Sequence, residues 1–412
     1  MAIPGKTSTI ESIRVPSAGP IGVCLYVFTF WMPLNSGPVD ISLVVLAFGT
    51  LLAVWTGARS GPDWKSILPV GVLIFLCATG LSIMVSEFSA RSLKLSASFL
   101  PGILIFLVIS GYFQGVKYVT LLYRTLSVTG LVISAPLLLI AWKIGGVDPN
   151  AWITASGSPI LAVPNDVTLL AIIAPFSLVL LYTAPLTWTG AIAALSILLS
   201  ACVVTVFQSG VGLVTMIGAL AAGAAFLRGP KFLFWGFVAL IPTVFIDWLL
   251  NFPLLNRFIA RWAGNGRVPF WLAAWSMFRD APILGHGPHT FGLFYKKYVE
   301  GYRPLPQWLG FDGRDVPWAH NLYVEILAQQ GIIGFAALIL LLVSAFAAGF
   351  SLKSGSEETR TLSAGAAGAL TGFCIASCME LTFLRHWVVI VFFVILGCLH
   401  CLTRIETAGR EV

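Results

Sequence analysis

The chain has 412 residues, of which 58% are hydrophobic and 10% are charged, and its formal net charge is +7. Soluble domains use about 25% charged residues, so this composition excludes a soluble globular protein. Apolar runs of about 20 residues recur along the chain, and each can cross roughly 30 Å of hydrocarbon as a helix. The sequence therefore predicts an all-α integral membrane protein.

Twelve transmembrane helices are predicted in chain order. Their approximate ranges are 19–34, 39–57, 66–86, 95–113, 119–142, 164–182, 187–206, 210–227, 231–250, 320–350, 360–383 and 385–403. This divides the chain into nine spans within 1–250, one large loop at 251–319, and three spans with a short tail at 320–412.

Basic residues in the short loops predict how the chain is oriented, because Lys and Arg concentrate on the cytoplasmic side. Twelve of them lie on the side of the N-terminus: Lys6, Arg14, Arg59, Lys65, Lys117, Arg124, Arg228, Lys231, Lys353, Arg360, Arg404 and Arg410. Four lie in the short loops opposite: Arg91, Lys94, Lys143 and Arg385. Both termini are therefore expected in the cytoplasm, and the loop 251–319 on the outer, periplasmic face.

The large loop carries eight basic and four acidic residues, a net charge of +4. Such a surface suits an anionic head group or a diphosphate, although solvated loop charges are the alternative.

Apolar residues at helical spacing from Val268 to Phe278 predict a short interfacial helix. Arg267 lies at the start of that helix. Its planar fork matches phosphate oxygens, but it could also serve only as an anchor at the membrane surface.

Histidines are the candidate bases of this region. His286 and His289 lie in a glycine turn, and His320 is at the start of the tenth span. A histidine of ordinary pKa is mostly neutral at pH 7 and can accept a proton from an attacking hydroxyl. A hydrogen-bonded structural role is the alternative for each. Farther along the tenth span, Gly331 and Gly334 have a spacing that predicts close helix packing.

The order of these motifs resembles a known family. His320-Asn321, nine residues, then Gly331-Ile332-Ile333-Gly334 is similar to the H-N-x9-G-x-x-G pattern of the O-antigen ligase and polymerase family. The upstream segment "GNGRVPFWLAAWSMFRDAPILGHGPHTF" resembles the arginine, tryptophan and glycine series of the same family. "PND", which contains Asn165, resembles its frequent Pro-Asn. Together the motifs extend from Asn165 to Phe335.

The resemblance implies a metal-independent, GT-C-like membrane glycosyltransferase without a cofactor. Such an enzyme moves a glycan from undecaprenyl diphosphate to a sugar hydroxyl at the periplasmic face of the bacterial inner membrane. The product would be lipopolysaccharide, O-antigen or exopolysaccharide. The acceptor would be another glycan or a lipid A-core, and the expected partners include the lipid bilayer but no nucleic acid.

The resemblance also implies roles for individual residues. Arg267 and His320 would be catalytic, the first binding the diphosphate and the second activating the acceptor hydroxyl. Asn321 or Glu325 would orient the histidine. These two residues, together with Asn165, His289 and Arg385, are the candidate substrate-binding residues.

Two positions depart from the family pattern: Gly210, and Phe335, where ligases often have threonine after G-x-x-G. Many members carry Ser-Arg near the start of the eighth span, whereas this chain has Ser209-Gly210. Arg385 is the candidate to replace the missing cation. Two questions stay open at this stage: whether the enzyme is a ligase or a polymerase, and whether the chain is instead a transporter or flippase of lipid-linked oligosaccharides, or a scaffold.

Overall fold

A computed structural model describes residues 18–30, 66–144, 163–207, 209–229, 267–300 and 316–410, with a few positions between 44 and 51. This part of the chain is 85% helix and contains no strand, which confirms the all-α fold class. The predicted span 231–250 lies outside the described residues, as do most of 39–57 and the loop segments 251–266 and 301–315.

Thirteen α-helices lie in the described ranges. They are α1 (Ala18–Phe30), α2 (Ile67–Val85), α3 (Ser89–Ser96), α4 (Phe99–Tyr112), α5 (Val116–Ile144), α6 (Val163–Thr183), α7 (Trp188–Val206), α8 (Gly210–Arg228), α9 (Val268–Asp280), α10 (Phe291–Glu300), α11 (Leu322–Ser351), α12 (Glu357–Ser377) and α13 (His386–Arg410). Eight helical stretches within them are long and apolar enough to cross a membrane. The chain is therefore an integral membrane protein.

Two predicted spans differ from the observed helices. The span predicted at 95–113 belongs to an apolar helical stretch that begins at Ser89, with α3 and α4 in succession. The span predicted at 360–383 ends early, because α12 stops at Ser377. Glu380 and Arg385 therefore lie in the turn between α12 and α13, where side chains of polar residues can converge.

Small residues let the helices approach closely around α12. This helix packs against α6 and α8. A Cβ atom added at Gly368 would lie 2.7 Å from the backbone oxygen of Ala219 in α8. The last helix, α13, is almost wholly buried and packs against α4. Close packing of this kind supplies van der Waals contact where lipid offers no hydrophobic driving force between helices.

The helix α11 is broken at Gly331, whose φ of 63° lies in the left-handed region. The turn that follows α9 fills the break: the backbone N–H of Ile332 donates to the carbonyl of Pro282 at 2.8 Å. A Cβ at Gly331 would overlap the carbonyl group of Ile283. The expectation that Gly331 serves helix–helix packing was therefore wrong, since it accommodates the docked turn instead.

The helix predicted from Val268 to Phe278 is present as α9. It packs against α10 and α11. Phe270 and Met277 of α9 form a small apolar core with Phe291 and Tyr295 of α10. This second core joins the two described helices of the large loop, α9 and α10, to each other.

Candidate active site

His320 occupies an unusual backbone conformation directly before α11. Its φ is 54°, which is rare for a residue with a side chain. Such strain costs about 1–3 kcal/mol and is found mostly at functional sites. The neighbouring groups hold the turn in place: the side chain of Asn321 accepts from the N–H groups of Tyr323 and Val324 at 3.0 and 3.2 Å. Asn321 is thus the N-cap of α11, and its oxygen fixes the start of the helix.

The imidazole of His320 is held between aromatic rings. It stacks on Phe270 with ring centroids 5.6 Å apart and an interplanar angle of 27°. The indole Nε1 of Trp318 donates to its Nδ1 at 3.3 Å. Burial, followed by the positive charges of Arg267 and Arg385, lowers the pKa of His320 to about 3. The ring is therefore neutral at pH 7.

Arg267 lies one residue before α9 and points at the same cluster. Its Nη2 donates to Oε2 of Glu380 at 2.7 Å. Its Nη1 is buried without a hydrogen-bond partner in the described part of the chain. An unsatisfied buried guanidinium nitrogen is costly, so one arm of the fork is available to an anionic ligand.

Arg385 reaches the cluster from the turn between α12 and α13. Its Nη1 lies 3.6 Å from Oε1 of Glu380 and donates to Oδ1 of Asn165 at the start of α6. Its guanidinium carbon lies 4.3 Å from the centre of the Trp318 ring, a cation–π contact. Four residues that the sequence nominated separately, His320, Arg267, Arg385 and Asn165, thus meet in one place.

Glu380 is the centre of the cluster, and sequence reasoning missed it. Its side chain is buried and lies between the two arginines, with Oε1 also 3.8 Å from Nδ1 of His320. Burial raises the pKa of Glu380, while the charges of Arg267 and Arg385 act in the opposite direction. A signal was present in the sequence: a lone carboxylate near the end of a predicted span, five residues before Arg385, marks a functional position.

Glu325, one turn into α11, holds the backbone around this cluster. Its Oε2 accepts from the N–H of Ala319 at 3.0 Å, and its Oε1 accepts from the hydroxyl of Thr382 at 2.6 Å. It therefore joins the residue before His320 to the turn that bears Glu380. Glu325 does not touch the imidazole, so its contribution is to position the two segments.

His289 does not join the cluster through its ring. It is buried, and both ring nitrogens lack a hydrogen-bond partner among the described residues. Burial, followed by the charges of His386 and Arg91, lowers the pKa of His289 to about 4. Its backbone N–H donates to Oε1 of Gln329 at 2.8 Å. The turn that carries it is therefore fixed onto α11.

Serines in α2, directly after it and in α3 hold that turn from the other side. The hydroxyls of Ser82, Ser86 and Ser92 donate to the carbonyls of Leu284, His286 and Pro288 at 2.8, 2.8 and 2.7 Å.

Among the described residues, no group of His, Cys, Asp and Glu could hold a metal ion. The cluster's chemistry comes from two guanidinium groups, one carboxylate and one neutral imidazole.

These observations define an all-α, multi-pass membrane protein with a buried polar cluster at one end of its helical bundle. A protein-family model described as O-antigen ligase matches residues 153–339. This match confirms the resemblance to the O-antigen ligase and polymerase family seen in the motifs. Together with the apolar helices, the match indicates a bacterial membrane protein.

The matched segment contains Asn165, Arg267 and His320, whereas Glu380 and Arg385 lie beyond it. An uncharacterized protein of Haemophilus influenzae is 31% identical over 80 residues. The aligned part is 19% of this chain and 19% of that relative, so the chain spans about a fifth of the length of the curated relative it matches.

Proposed function

We propose that this protein is a membrane glycosyltransferase that moves a glycan from undecaprenyl diphosphate to a sugar hydroxyl, as O-antigen ligases and polymerases do. The observation that carries the proposal is the convergence of Arg267, Arg385, Glu380 and His320 in one buried cluster. Two cations beside a neutral base are what a diphosphate leaving group and an attacking hydroxyl require.

The donor's diphosphate would bind the two arginines. The unpartnered Nη1 of Arg267 supplies one donor, and Arg385 supplies a second cation from the opposite side. Partial burial lowers the effective dielectric, so each contact is worth more here than at a solvated surface. These contacts strengthen as negative charge develops on the leaving group, which lowers the barrier to transfer.

The acceptor hydroxyl would lose its proton to the neutral imidazole of His320. In the transfer, the bond between the anomeric carbon and the diphosphate oxygen breaks, and a bond from that carbon to the acceptor oxygen forms. The proton passes to His320, and undecaprenyl diphosphate leaves with the negative charge. A positioned base of this kind contributes roughly 10²- to 10⁴-fold in rate. No step requires a metal ion.

Arg385 is proposed to replace the arginine that many relatives carry at the position of Gly210. The start of α8 lies beside the start of α6, since a Cβ at Gly212 would contact Val167. Arg385 bonds to Asn165, two residues before Val167. Its guanidinium is therefore near the place from which the family arginine would extend.

We place the cluster at the periplasmic face. The basic residues of the short loops favour cytoplasmic termini, and the loop segment that carries Arg267 then faces outward. Lipid-linked glycans are long and polar, so a site at one end of the bundle can bind the diphosphate at head-group level while the glycan stays in water. Both features agree with a one-sided enzyme in the inner membrane.

The test is to make His320→Ala and Arg267→Ala in the native host and to compare surface polysaccharide on gels. Loss of polymer in both variants, at normal protein levels, is expected. Arg279→Ala is the matched control, because Arg279 is an exposed arginine on the same helix, α9. Normal polymer in both site variants would refute the proposal.

The same gels distinguish ligase from polymerase in a strain that lacks the gene. Single repeat units left on the carrier or on the acceptor indicate a polymerase, because only chain growth has stopped. Long polymer retained on the carrier indicates a ligase, because growth continues and transfer to the acceptor does not. Sugar identity follows from the composition of the accumulated intermediate.

A further inference from the structure

Two groups compete for the same nitrogen of His320. The indole N–H of Trp318 donates to Nδ1 at 3.3 Å, and Oε1 of Glu380 lies 3.8 Å from that same nitrogen. Indole can only donate a hydrogen bond, whereas a carboxylate can only accept one. Trp318 therefore requires the neutral tautomer with its proton on Nε2, and Glu380 requires the tautomer with its proton on Nδ1.

In the structure Nδ1 of His320 accepts its hydrogen bond from Trp318, because Glu380 is paired with the two arginines. Its Oε2 accepts from Arg267 at 2.7 Å and its Oε1 is 3.6 Å from Arg385, both shorter than its distance to the imidazole. The consequence for chemistry is direct. With Nε2 protonated and Nδ1 occupied by the indole, neither nitrogen of His320 is free to accept a proton from a hydroxyl.

We propose that Trp318 is a positioning residue that keeps His320 in this masked tautomer until a diphosphate displaces Glu380 from the two arginines. The released carboxylate then accepts from Nδ1–H, and Nε2 becomes the free base. This inference rests on the proposed function, in which Arg267 and Arg385 bind the donor's diphosphate. It implies that the glycan donor binds before the acceptor hydroxyl can lose its proton.

The proton balance of the switch is simple. The imidazole is neutral before and after it, because Nε2 loses one proton to water and Nδ1 gains one from water. The diphosphate replaces the carboxylate as the anion between the guanidinium groups, so the arginines have an anionic partner in both states. No oxidant, reductant or metal takes part.

The residues around the His320 ring couple the position of Glu380 to that of Trp318. Arg385 both faces Glu380 and lies on the Trp318 ring, with 4.3 Å from its guanidinium carbon to the ring centre. Movement of Arg385 toward a ligand therefore also loosens the indole from its place. His320 itself cannot easily turn away, because its backbone is in the left-handed region and its ring stacks on Phe270.

The experiment is ¹⁵N NMR of the full chain in lipid nanodiscs, with labelled histidine and with His320→Ala to assign the signals. The ¹⁵N shifts distinguish a protonated ring nitrogen from an unprotonated one. We expect Nε2–H in the empty protein and Nδ1–H after addition of inorganic pyrophosphate. Nδ1–H already in the empty protein, or Nε2–H retained at any pyrophosphate concentration, would overturn the proposal.

A variant tests the same idea without a ligand. Trp318→Phe keeps an aromatic ring beside Arg385 but removes the indole donor, so the empty protein should shift toward Nδ1–H. The exposed Trp275 of α9 provides the control variant Trp275→Phe, in which the tautomer should not change. An unaltered tautomer in Trp318→Phe contradicts the proposal.

Transferase assays separate this inference from the proposed function. The indole bond stabilises the neutral ring, and its loss should move the acidic limb of the rate profile to higher pH. The charges that face His320 are Arg267, Arg385 and Glu380, and they are unchanged in Trp318→Phe. An acidic limb at the wild-type pH would overturn the role of Trp318. A fully active His320→Ala variant would instead remove the proposed function.

Discussion

Glu380 accepts a hydrogen bond of 2.7 Å from Arg267, although 113 residues separate them in the chain. The carboxylate occupies the space between two guanidinium groups, where an anionic ligand would also bind. In the empty protein Glu380 therefore pairs with both Arg267 and Arg385, and a diphosphate has to compete with it.

Glu380→Gln should bind inorganic pyrophosphate more tightly and transfer glycan more slowly. The neutral amide competes less well for the arginines, so we expect roughly tenfold tighter binding, which corresponds to about 1.4 kcal/mol. Calorimetry on the purified full chain measures the affinity. The exposed Glu87 provides the control Glu87→Gln. Unchanged or weaker binding in Glu380→Gln would contradict the competition.

Arg267→Lys should fold normally and lose most of its activity. Lysine can still neutralise Glu380, but it lacks the planar fork whose second arm is unpartnered here. We expect a loss of about 10²-fold in transfer rate, typical for one missing contact to a developing charge. Arg279→Lys is the control on the same helix. Wild-type rates in Arg267→Lys would show that a point charge is sufficient.

Arg385→Ala should reduce transfer by at least about tenfold, as expected for the loss of a charged contact. The second substitution Gly210→Arg should restore part of the rate, because it places an arginine where many relatives have one. The comparison of the single and double variants, at equal protein levels, measures the rescue. A double variant no better than Arg385→Ala would argue against the replacement of one arginine by the other.

The activity should be insensitive to mild acid. Because burial lowers the pKa of His320 to about 3, the base stays neutral down to about that pH, whereas an ordinary histidine would be half protonated near pH 6.5. The histidine-dependent kcat/KM, which reports the pKa of the free enzyme, should thus be flat from about pH 8 to about pH 5. A midpoint near 6.5 for the histidine-dependent rate would refute the lowered pKa.

The free energy of unfolding should decrease in acid for the same reason. The unfolded chain binds a proton at His320 below about pH 6.5, and the folded chain resists it until about pH 3. The contribution of this residue to stability is therefore complete above pH 6.5 and is lost as the pH falls toward 3. The variant His320→Ala should show a weaker decline of its melting temperature across that range.

Gly331→Ala should destabilise the turn that docks into α11. The added Cβ would overlap the carbonyl of Ile283, and the alanine would have to adopt a φ of 63°. We expect the free energy of unfolding to fall by about 1–3 kcal/mol or more. Protease sensitivity of the segment after α9 and the melting temperature of the protein measure the effect. Gly80→Ala is the control, since nothing lies within 4 Å of its added Cβ. Equal stability of the two variants would contradict this account.

The sequence by itself determined the membrane class, most span positions, the helix after Arg267 and the candidates His320 and Arg385. Hydropathy and helical spacing are local properties, so they could be read from neighbouring residues alone. The motif order around His320 is likewise a property of the sequence alone. It indicates the resemblance to the O-antigen ligase and polymerase family.

Only the tertiary structure decided which of these residues meet. Glu380 became the central partner because α12 ends at Ser377 and leaves it in a turn, a boundary that hydropathy placed six residues too late. Gly331 proved to be a break filled by another segment, and the ring of His289 makes no hydrogen bond to the cluster although it belongs to the same motif series. Convergence of this kind depends on packing between segments more than a hundred residues apart, which no local pattern encodes.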